Sequence, residues 1–159
     1  MADNAEMEHK FWRALRSDMT FMLGVKGADL AQPMTAQFDE DTGNRIYVFT
    51  AKDTDLVRAL DANSAGYAYF ASKGHDLFAA IEGTLALDND RATIDRLWSP
   101  FVAAWFEGGK DDPKLQLLRF EPAHAQIWLN EHSLFAGFKI LFGRDPKEEY
   151  KDKTADVRL

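Results

Sequence analysis

Several hydroxyl and amine side chains lie at the connection between a predicted strand and a predicted helix, within residues 45–60. Residues 46–50 alternate aliphatic and aromatic side chains, which indicates a strand with different neighbours on its two faces. A short helix is expected next, with Asp53 or Thr54 as its N-cap. Free N–H groups at a helix start favour a phosphate, and Thr50, Thr54 and Lys52 add two hydroxyls and a positive charge. An ordinary strand–helix connection with a capping Thr has the same pattern, so both interpretations stay open.

Metal and nucleophile chemistry find little support elsewhere in the chain. There is no cysteine, which excludes disulfides, thiolate catalysis and Cys-ligated metals. The 4 histidines lack metal-ligand spacing such as a helical i, i+4 pair, so we expect surface or hydrogen-bonded roles for them. Asp111 and Asp112 are adjacent carboxylates, but their Gly-Lys loop before Pro113 favours a structural turn over an acid–base pair. The sequence predicts no metal site and identifies no catalytic residue.

Composition sets the class of protein and its partners. A chain of 159 residues with 46% hydrophobic and 28% charged residues predicts one soluble domain with a substantial core. The formal net charge of -7 argues against nucleic acid or an anionic membrane as the main partner. The acidic N-terminal segment has no signal-peptide core, and no apolar run approaches the roughly 20 residues of a membrane span. We therefore predict a cytoplasmic protein with no nucleic-acid partner and no membrane contact.

Seven short strands and a few helices are predicted to position the turn. The strands are expected at residues 20–25, 32–38, 46–50, 65–71, 77–87, 115–120 and 125–129. A turn at Glu121 and Pro122 separates the last two, and Gly83 marks a bulge or bend. Helices are expected at residues 6–16 and after Asp90. Short loops favour antiparallel pairing in a closed or half-closed barrel, and the missing glycine fingerprint gives a dinucleotide fold no support.

The predicted domain boundaries follow from charge and apolar content. Residues 1–6 are predicted to be a disordered tail, residues 7–143 a single domain, and residues 144–159 a charged, solvated C-terminal tail. The apolar run at residues 133–142 is half a membrane span long, so we interpret it as a cover for the barrel or for a dimer seam.

Three runs in the second half of the chain are the most specific pattern. They read Leu97-Trp98-Ser99-Pro100, Ala104-Trp105-Phe106 and Gly108-Gly109-Lys110-Asp111-Asp112-Pro113. With the flanking order FWRAL, PMTAQ, YVFT, EGTL and AQIW, they resemble the general stress protein branch of the pyridoxamine-phosphate-oxidase-like flavoproteins over residues 7–130. The resemblance implies a mainly β, antiparallel Greek-key split β-barrel with short flanking helices. It also implies a homodimer that holds flavin mononucleotide (FMN) at the subunit interface.

The resemblance also carries over cofactor-binding positions on the second strand and at the strand–helix turn. Met34, Thr35 and Ala36 would lie beside the flavin ring. Thr50 matches the usual phosphate-binding Thr of the turn. Further positions there are Thr54, where a Ser is common, Lys52, where some members have Arg, and the neighbouring Phe49.

Three more predicted cofactor-binding residues lie later in the chain. Trp128 matches an aromatic residue that reaches the flavin of the other subunit. Lys73 is a substitute phosphate donor, and His75 precedes a strand that borders the cofactor. Trp12, Trp98 and Trp105 are instead interpreted as core or dimer packing.

The sequence departs from the family where the family is basic. Gln32 replaces the usual Arg of the second strand, and Asp55-Leu56 replaces a basic pair in the turn. A helix terminus stabilises a nearby anion by roughly 0.3–1 kcal/mol, whereas a phosphate carries roughly 1.5–2 negative charges. We therefore expect that flavin binding is weaker, that the flavin is differently posed, or that the site binds another ligand. Leu134 and Ala136 stand where true oxidases have Arg and His, so pyridoxamine phosphate oxidation is not expected.

The resulting functional hypothesis is an FMN-dependent oxidoreductase of the stress response, with an unidentified small-molecule substrate. The protein would position the ring, and the cofactor would supply the hydride or electron chemistry. Two alternatives stay open: a non-catalytic module that binds flavin or another phosphate ligand, and a cofactor-less dimeric scaffold. Thr50, Thr54 and Trp128 favour ligand binding, whereas Asp55 and Leu56 weigh against a robust enzyme.

Overall fold

The computed structural model describes residues 3–27, 30–130 and 154–159. Its strands are β1 (Thr20–Val25), β2 (Gln32–Thr35), β3 (Ile46–Ala51), β4 (Ser64–Ala71), β5 (Leu77–Asp88), β6 (Leu115–Leu129) and β7 (Thr154–Arg158). Its helices are α1 (Asn4–Asp18), α2 (Asp55–Arg58), α3 (Arg91–Leu97) and α4 (Pro100–Ala103), with 3-10 turns at Glu40–Thr42 and Gly109–Asp111. In this part of the chain, none of the helices has the length and apolarity needed to cross a bilayer.

The strands form one antiparallel sheet in the order β2-β1-β4-β5-β6-β3, and β7 also pairs with β6. The sheet closes because Gln37, just after β2, exchanges two backbone hydrogen bonds with Tyr47 of β3. The Gln37 N–H donates to the Tyr47 carbonyl over 2.7 Å, and the Tyr47 N–H donates back over 2.9 Å. The result is the predicted antiparallel barrel with short flanking helices.

The last long strand is continuous where the sequence predicts a turn. β6 runs through Glu121 and Pro122 without a break, and its register against β5 shifts between Glu82 and Gly83. The register skips Ala123, so this bulge leaves Ala123 outside the ladder beside Pro122, which lies opposite Gly83. A proline, which has no N–H, is tolerated at a bulge. A side chain at Gly83 would overlap the Glu121 carbonyl oxygen. The predicted bulge at Gly83 is therefore confirmed, and the turn is corrected to a bend inside one strand.

Both ends of the described chain are more ordered than their charge suggests. α1 begins at Asn4, because the carboxylate of Asp3 caps it by accepting from the Ala5 N–H over 3.0 Å. Thr154–Arg158 forms β7 instead of a solvated tail, since Ala155 and Val157 alternate into the core. The predicted cover at residues 133–142 and the rest of the predicted tail lie outside the described residues.

Two hydrophobic clusters meet at β3. Ile46 and Val48 point into the barrel, where they pack with Phe11 and Leu15 of α1. Tyr47 belongs to a second cluster, formed with Ile94, Leu97, Val102, Phe106, Leu115 and Leu117. Phe49, on the same face as Tyr47, meets Trp98 edge-on with 5.9 Å between ring centroids. The predicted division of β3 into two faces is confirmed, and it anchors α3 and α4 against the outside of the barrel.

Candidate functional site

A cavity of about 430 Å³ opens between β2, β3 and α4. That volume falls within the roughly 300–1,000 Å³ typical of small-molecule sites. Its polar lining consists of Thr20, Gln32, Thr35, Gln37, Thr50 and Thr54. Its main apolar contributors are Met34 and Phe49 on the barrel and Phe101, Val102, Trp105 and Phe106 on the α4 side. No titratable side chain is among the described residues that line it, so the walls offer neutral hydrogen-bonding groups and apolar surface.

The structure brings five of the predicted cofactor-binding residues to this cavity. Met34 and Thr35 come from β2, and Phe49 and Thr50 come from β3. Thr54 lies at the start of α2 and completes the group. The first four come from two strands that are not hydrogen-bonded along their length, and the barrel closure at Gln37 and Tyr47 is what places them together.

The two threonines of the strand–helix turn differ in what their hydroxyls do. Thr54 Oγ1 accepts from the Val57 N–H over 3.3 Å and donates to the Ala51 carbonyl over 3.0 Å, so it caps α2 as predicted. Thr50 is only 9% exposed, yet its hydroxyl has no hydrogen-bond partner in the described part of the chain. The hydroxyl is not among the fully buried side-chain atoms that lack a partner, so it is open to the cavity, where a ligand could form a hydrogen bond with it.

Lys52 lies at the end of β3, exposed and beside the cavity rather than in its lining. Its backbone N–H donates to the Lys114 carbonyl over 2.8 Å, so a second exposed lysine stands at the same corner. The sequence did not indicate Lys114, because its position depends on the long-range pairing of β3 with β6. Asp55, expected to oppose an anion here, instead pairs with Arg58 over 3.1 Å.

The departures from the basic family pattern have structural counterparts. Leu56 is fully buried in the barrel core, so a cation at that position would lose its hydration. Gln32 lines the cavity, where it offers a neutral amide in place of a charge. Ala36 is also fully buried and does not line the cavity, although its N–H is anchored on the Met19 carbonyl.

The remaining predicted residues lie away from the cavity. The Lys73 N–H donates to the Asp18 carboxylate over 2.7 Å. His75 has a positive φ of 59° and stacks on Phe78, with 6.3 Å between ring centroids. Phe78 in turn pairs across the strands with Trp128. Cofactor contacts by Lys73, His75 and Trp128 stay predictions, and within one subunit these side chains are separate from the cavity lining.

The α4 residues of the cavity were missed as site residues. Trp105, interpreted from the sequence as core or dimer packing, is 84% exposed, and Phe101 is 85% exposed. Core packing of Trp105 is therefore excluded, and dimer packing stays a prediction. The spacing of four residues between these two aromatics places both on one side of a helical turn. The neighbouring Val102 and Phe106 face the other way and are buried. The alternation of two exposed and two buried large apolar residues, rather than residue type, is the sequence signal that could have indicated this wall of the cavity.

The acidic loop after α4 is structural, as the sequence predicts. Asp112 accepts from the Lys114 N–H over 2.9 Å and from the Gly108 N–H over 3.0 Å, and these bonds lower its carboxyl pKa. Asp111 pairs with Arg91 over 2.7 Å. Both carboxylates are engaged in the loop and lie outside the cavity lining. Within the residues the structure describes, no group of three or more His, Asp or Glu could hold a metal ion.

α3, which precedes α4 in the chain, is held against the barrel by an ion pair between a half-exposed arginine and a buried carboxylate. Arg96 donates to the Asp39 carboxylate from Nε over 3.0 Å and from a terminal nitrogen over 2.8 Å. The Asp39 side chain is only 4% exposed, and its hydrogen bond from Arg96 is the main reason that its pKa is lowered. Since Asp39 immediately precedes the 3-10 turn before β3, the pair fixes the α4 wall relative to the β3 wall.

An antiparallel barrel closed between β2 and β3, with a ligand-sized cavity beside that closure, is the architecture of a split β-barrel. The chain belongs to the family described as pyridoxamine 5'-phosphate oxidase like, whose profile matches residues 6–150. The family resemblance drawn from the Trp-Ser-Pro and Gly-Gly-Lys runs is thereby confirmed.

Three relatives narrow the similarity to general stress proteins. General stress protein 26 of Bacillus subtilis (strain 168) is 30% identical over 105 residues, which cover 64% of this chain and 72% of that protein. The crystal structure of the general stress FMN/FAD binding protein of the phytopathogen Xanthomonas citri is 54% identical, with a TM-score of 0.76 over 80% of this chain and 91% of that one. A structure described as general stress protein 26 of Jannaschia sp. CCS1 is 33% identical, with a TM-score of 0.80 over 99% of this chain and 100% of that one.

Proposed function

We propose that this protein binds FMN in the cavity between β2, β3 and α4 and acts as a flavin-dependent oxidoreductase. The observation that carries the proposal is the convergence of Met34, Thr35, Phe49, Thr50 and Thr54 on one cavity. A relative that is 54% identical is described as an FMN/FAD binding protein, which supports a flavin as the ligand. A role in the stress response and a place in the cytoplasm belong to the same proposal.

The lining suits the uncharged ring of a flavin. Met34 and Phe49 supply apolar surface for a planar ring, and the side-chain amide of Gln37 makes no hydrogen bond within the described residues. That amide can donate to a ring carbonyl or accept from a ring N–H. For the phosphate, Thr50 would donate its unpartnered hydroxyl and Lys52 would supply a charge from the rim.

The division of labour between protein and cofactor follows from the lining. When bound, the flavin supplies hydride or electron transfer, which none of the lining side chains performs alone. Since no described lining residue is titratable, the chain contributes binding, orientation and exclusion of water. We propose no general acid or base, and the substrate is an unidentified small molecule.

A homodimer is the second part of the proposal. Met22 of β1 and Tyr69 of β4 are cross-strand partners on the outside of the barrel, and both are exposed. Phe78 of β5 is exposed beside Ala71, on the same face. We propose that a second subunit covers this face, because contiguous exposed apolar surface marks association sites. The adjoining Trp128 would then approach the neighbouring subunit, as the resemblance implies.

An FMN titration of the purified protein tests the cofactor. We expect quenching of flavin fluorescence and a yellow protein whose flavin spectrum persists through gel filtration. A colourless protein that leaves free FMN fluorescence unchanged would remove both the enzyme and the carrier and favour the scaffold. Oxidation of NADH or NADPH by the yellow protein separates an enzyme from a carrier.

Sedimentation velocity tests the dimer. Replacing the half-exposed Tyr69 with Asp places a charge in the proposed interface, so we expect Tyr69→Asp to sediment as a monomer while the wild type is a dimer. Leu87→Asp, at an exposed leucine of β5 outside this face, is the matched control and should stay dimeric. A monomeric wild type, or a dimer that Tyr69→Asp leaves intact, contradicts this interface.

A further inference from the structure

The corner where β3 ends and β6 begins carries two lysines from distant parts of the chain. The Lys52 N–H donates to the Lys114 carbonyl over 2.8 Å, and this bond extends by one residue pair the ladder in which Ala51 lies opposite Leu115. Residues paired in this way have Cα atoms about 5.5 Å apart. Both lysines are exposed. Two positive charges therefore stand side by side at one corner of the barrel.

Carboxylates do not neutralise this pair. Within the residues that the structure describes, neither Lys52 nor Lys114 forms an ion pair. Asp112 interacts electrostatically with Lys114, but its carboxylate already accepts from two backbone N–H groups. Asp55 is engaged with Arg58. Like charges directly opposite each other on neighbouring strands are destabilising, so an anion bound between the two lysines would remove an unfavourable interaction.

The corner adjoins the cavity. Thr50 and Thr54 both line the cavity, and Lys52 lies midway between them in the chain. The Thr50 hydroxyl opens on the cavity and has no partner among the described residues. A phosphate that accepts from Thr50 would lie beside the corner, where the flexible, three-donor ends of lysine side chains can approach its other oxygens.

The second lysine compensates for the charge that the turn lacks. The positions that are basic in the family are Asp55 and the buried Leu56 in this chain. A phosphate monoester carries roughly 1.5–2 negative charges near neutral pH, which the single positive charge of Lys52 does not balance. Lys114 brings a second positive charge to the same corner from the start of β6 rather than from the turn.

We infer that Lys114 is a phosphate-binding residue and that, together with Lys52, it makes the site prefer flavins with a terminal phosphate over riboflavin, the flavin without one. The inference rests on the proposed function and names the group that sets this preference. Both lysines act as cations, and binding makes no covalent bond.

Fluorescence titrations of the full-length protein with FMN and with riboflavin test the inference, because the two flavins differ only in the phosphate. We expect the wild type to bind FMN more tightly than riboflavin. Lys114→Gln should weaken FMN binding about threefold, as expected for an exposed ion pair, and Lys52→Gln/Lys114→Gln about tenfold. Riboflavin affinity should be that of the wild type in both variants. High salt should narrow the preference for FMN in the wild type more than in the double variant.

Lys110→Gln is the matched control. It removes the same charge four residues earlier in the chain, but Lys110 pairs with Asp95 over 3.0 Å and does not line the cavity. We expect its affinity for both flavins to equal that of the wild type.

Three results would overturn the inference. The first is wild-type FMN affinity in Lys114→Gln. The second is equal weakening by Lys110→Gln, which would assign the effect to the overall charge of the protein. The third is a parallel loss of FMN and riboflavin affinity, which would assign Lys114 to the fold.

Failure of the proposed function is read separately, from a wild type that binds neither flavin. Inorganic phosphate then decides the role of the two lysines. It should raise the melting temperature of the wild type but not that of the double variant, and equal shifts in the two proteins would overturn the inference.

Discussion

Thr50→Val and Thr54→Val should have opposite consequences, although both remove one hydroxyl from the same turn. Thr50 Oγ1 opens on the cavity and has no partner in the described chain, whereas Thr54 Oγ1 is occupied as the cap of α2. Valine has nearly the shape of threonine, so each substitution tests the hydroxyl alone. We expect Thr50→Val to weaken FMN binding and Thr54→Val to weaken the fold.

The size of the Thr50 effect follows from the charge of the phosphate. A hydrogen bond to a charged group contributes roughly 1.5–3 kcal/mol. At about 1.4 kcal/mol for each factor of ten, the FMN dissociation constant should rise about ten- to 150-fold. Without FMN, Thr50→Val should leave the melting temperature nearly unchanged, since the Thr50 hydroxyl opens on the cavity and is not one of the buried groups that lack a partner.

The Thr54 effect follows from capping. Losing an N-cap costs about 1 kcal/mol of stability, and α2 is only 4 residues long. We expect a lower unfolding free energy in urea, with FMN affinity changed less than in Thr50→Val.

Fluorescence titration with FMN and urea unfolding without FMN measure the two quantities on the same samples. Wild-type FMN affinity in Thr50→Val would refute the assignment of the Thr50 hydroxyl to the phosphate. A larger loss of affinity in Thr54→Val than in Thr50→Val would refute the reasoning from hydrogen-bond partners altogether.

Three further predictions use the same physical logic. Lys52→Glu should weaken FMN binding at least tenfold, about 1.4 kcal/mol, and less so at high salt because the site is exposed; an unchanged dissociation constant would place the phosphate elsewhere. Asp39→Asn should lower the melting temperature at pH 7 more than Asp111→Asn, which removes an exposed ion pair. The pKa of Asp39 is lower in the folded protein than in the unfolded chain, so the stabilisation by its carboxylate is present above the unfolded-state pKa and is lost as the pH falls through the folded-state pKa. Asp39→Asn should therefore flatten the decline in melting temperature below about pH 4. Parallel curves of melting temperature against pH for the wild type and the variant would contradict this. Gly83→Ala should cost about 1–3 kcal/mol in urea unfolding, and near-wild-type stability would show that the bulge can shift.

Local chemistry made much of the fold predictable. Thr54 and Asp90 cap their helices as expected, because a side-chain oxygen three residues before a free N–H is a short-range pattern. The bounds of β1 and the two faces of β3 also follow from neighbouring residues. The bulge at Gly83 was equally visible, since a glycine inside a strand pattern typically marks a bulge or a close approach of two backbones.

Long-range pairing decided what could not be predicted. Pro122 breaks strands in general, and only its place opposite Gly83 lets β6 continue. β7 has two buried residues within a charged segment, too few for a periodic pattern. At the site, Lys114 reaches the Lys52 corner through the β3–β6 ladder, and the exposure of Trp105 depends on which neighbours α4 buries. Residue type alone favoured packing for that tryptophan.

The circle of strands is completed by just the pair of backbone hydrogen bonds between Gln37 and Tyr47, whereas β5 and β6 share a ladder from Leu77 to Asp88. Local opening should begin where the fewest bonds must break, so the amide protons of Gln37 and Tyr47 should exchange with deuterium sooner than those along β5. A molecule lying against both β2 and β3 would bridge the two sides of this weak line. Occupancy of the cavity would then be read as slower exchange at Gln37 and Tyr47, with the rest of the barrel nearly unaffected.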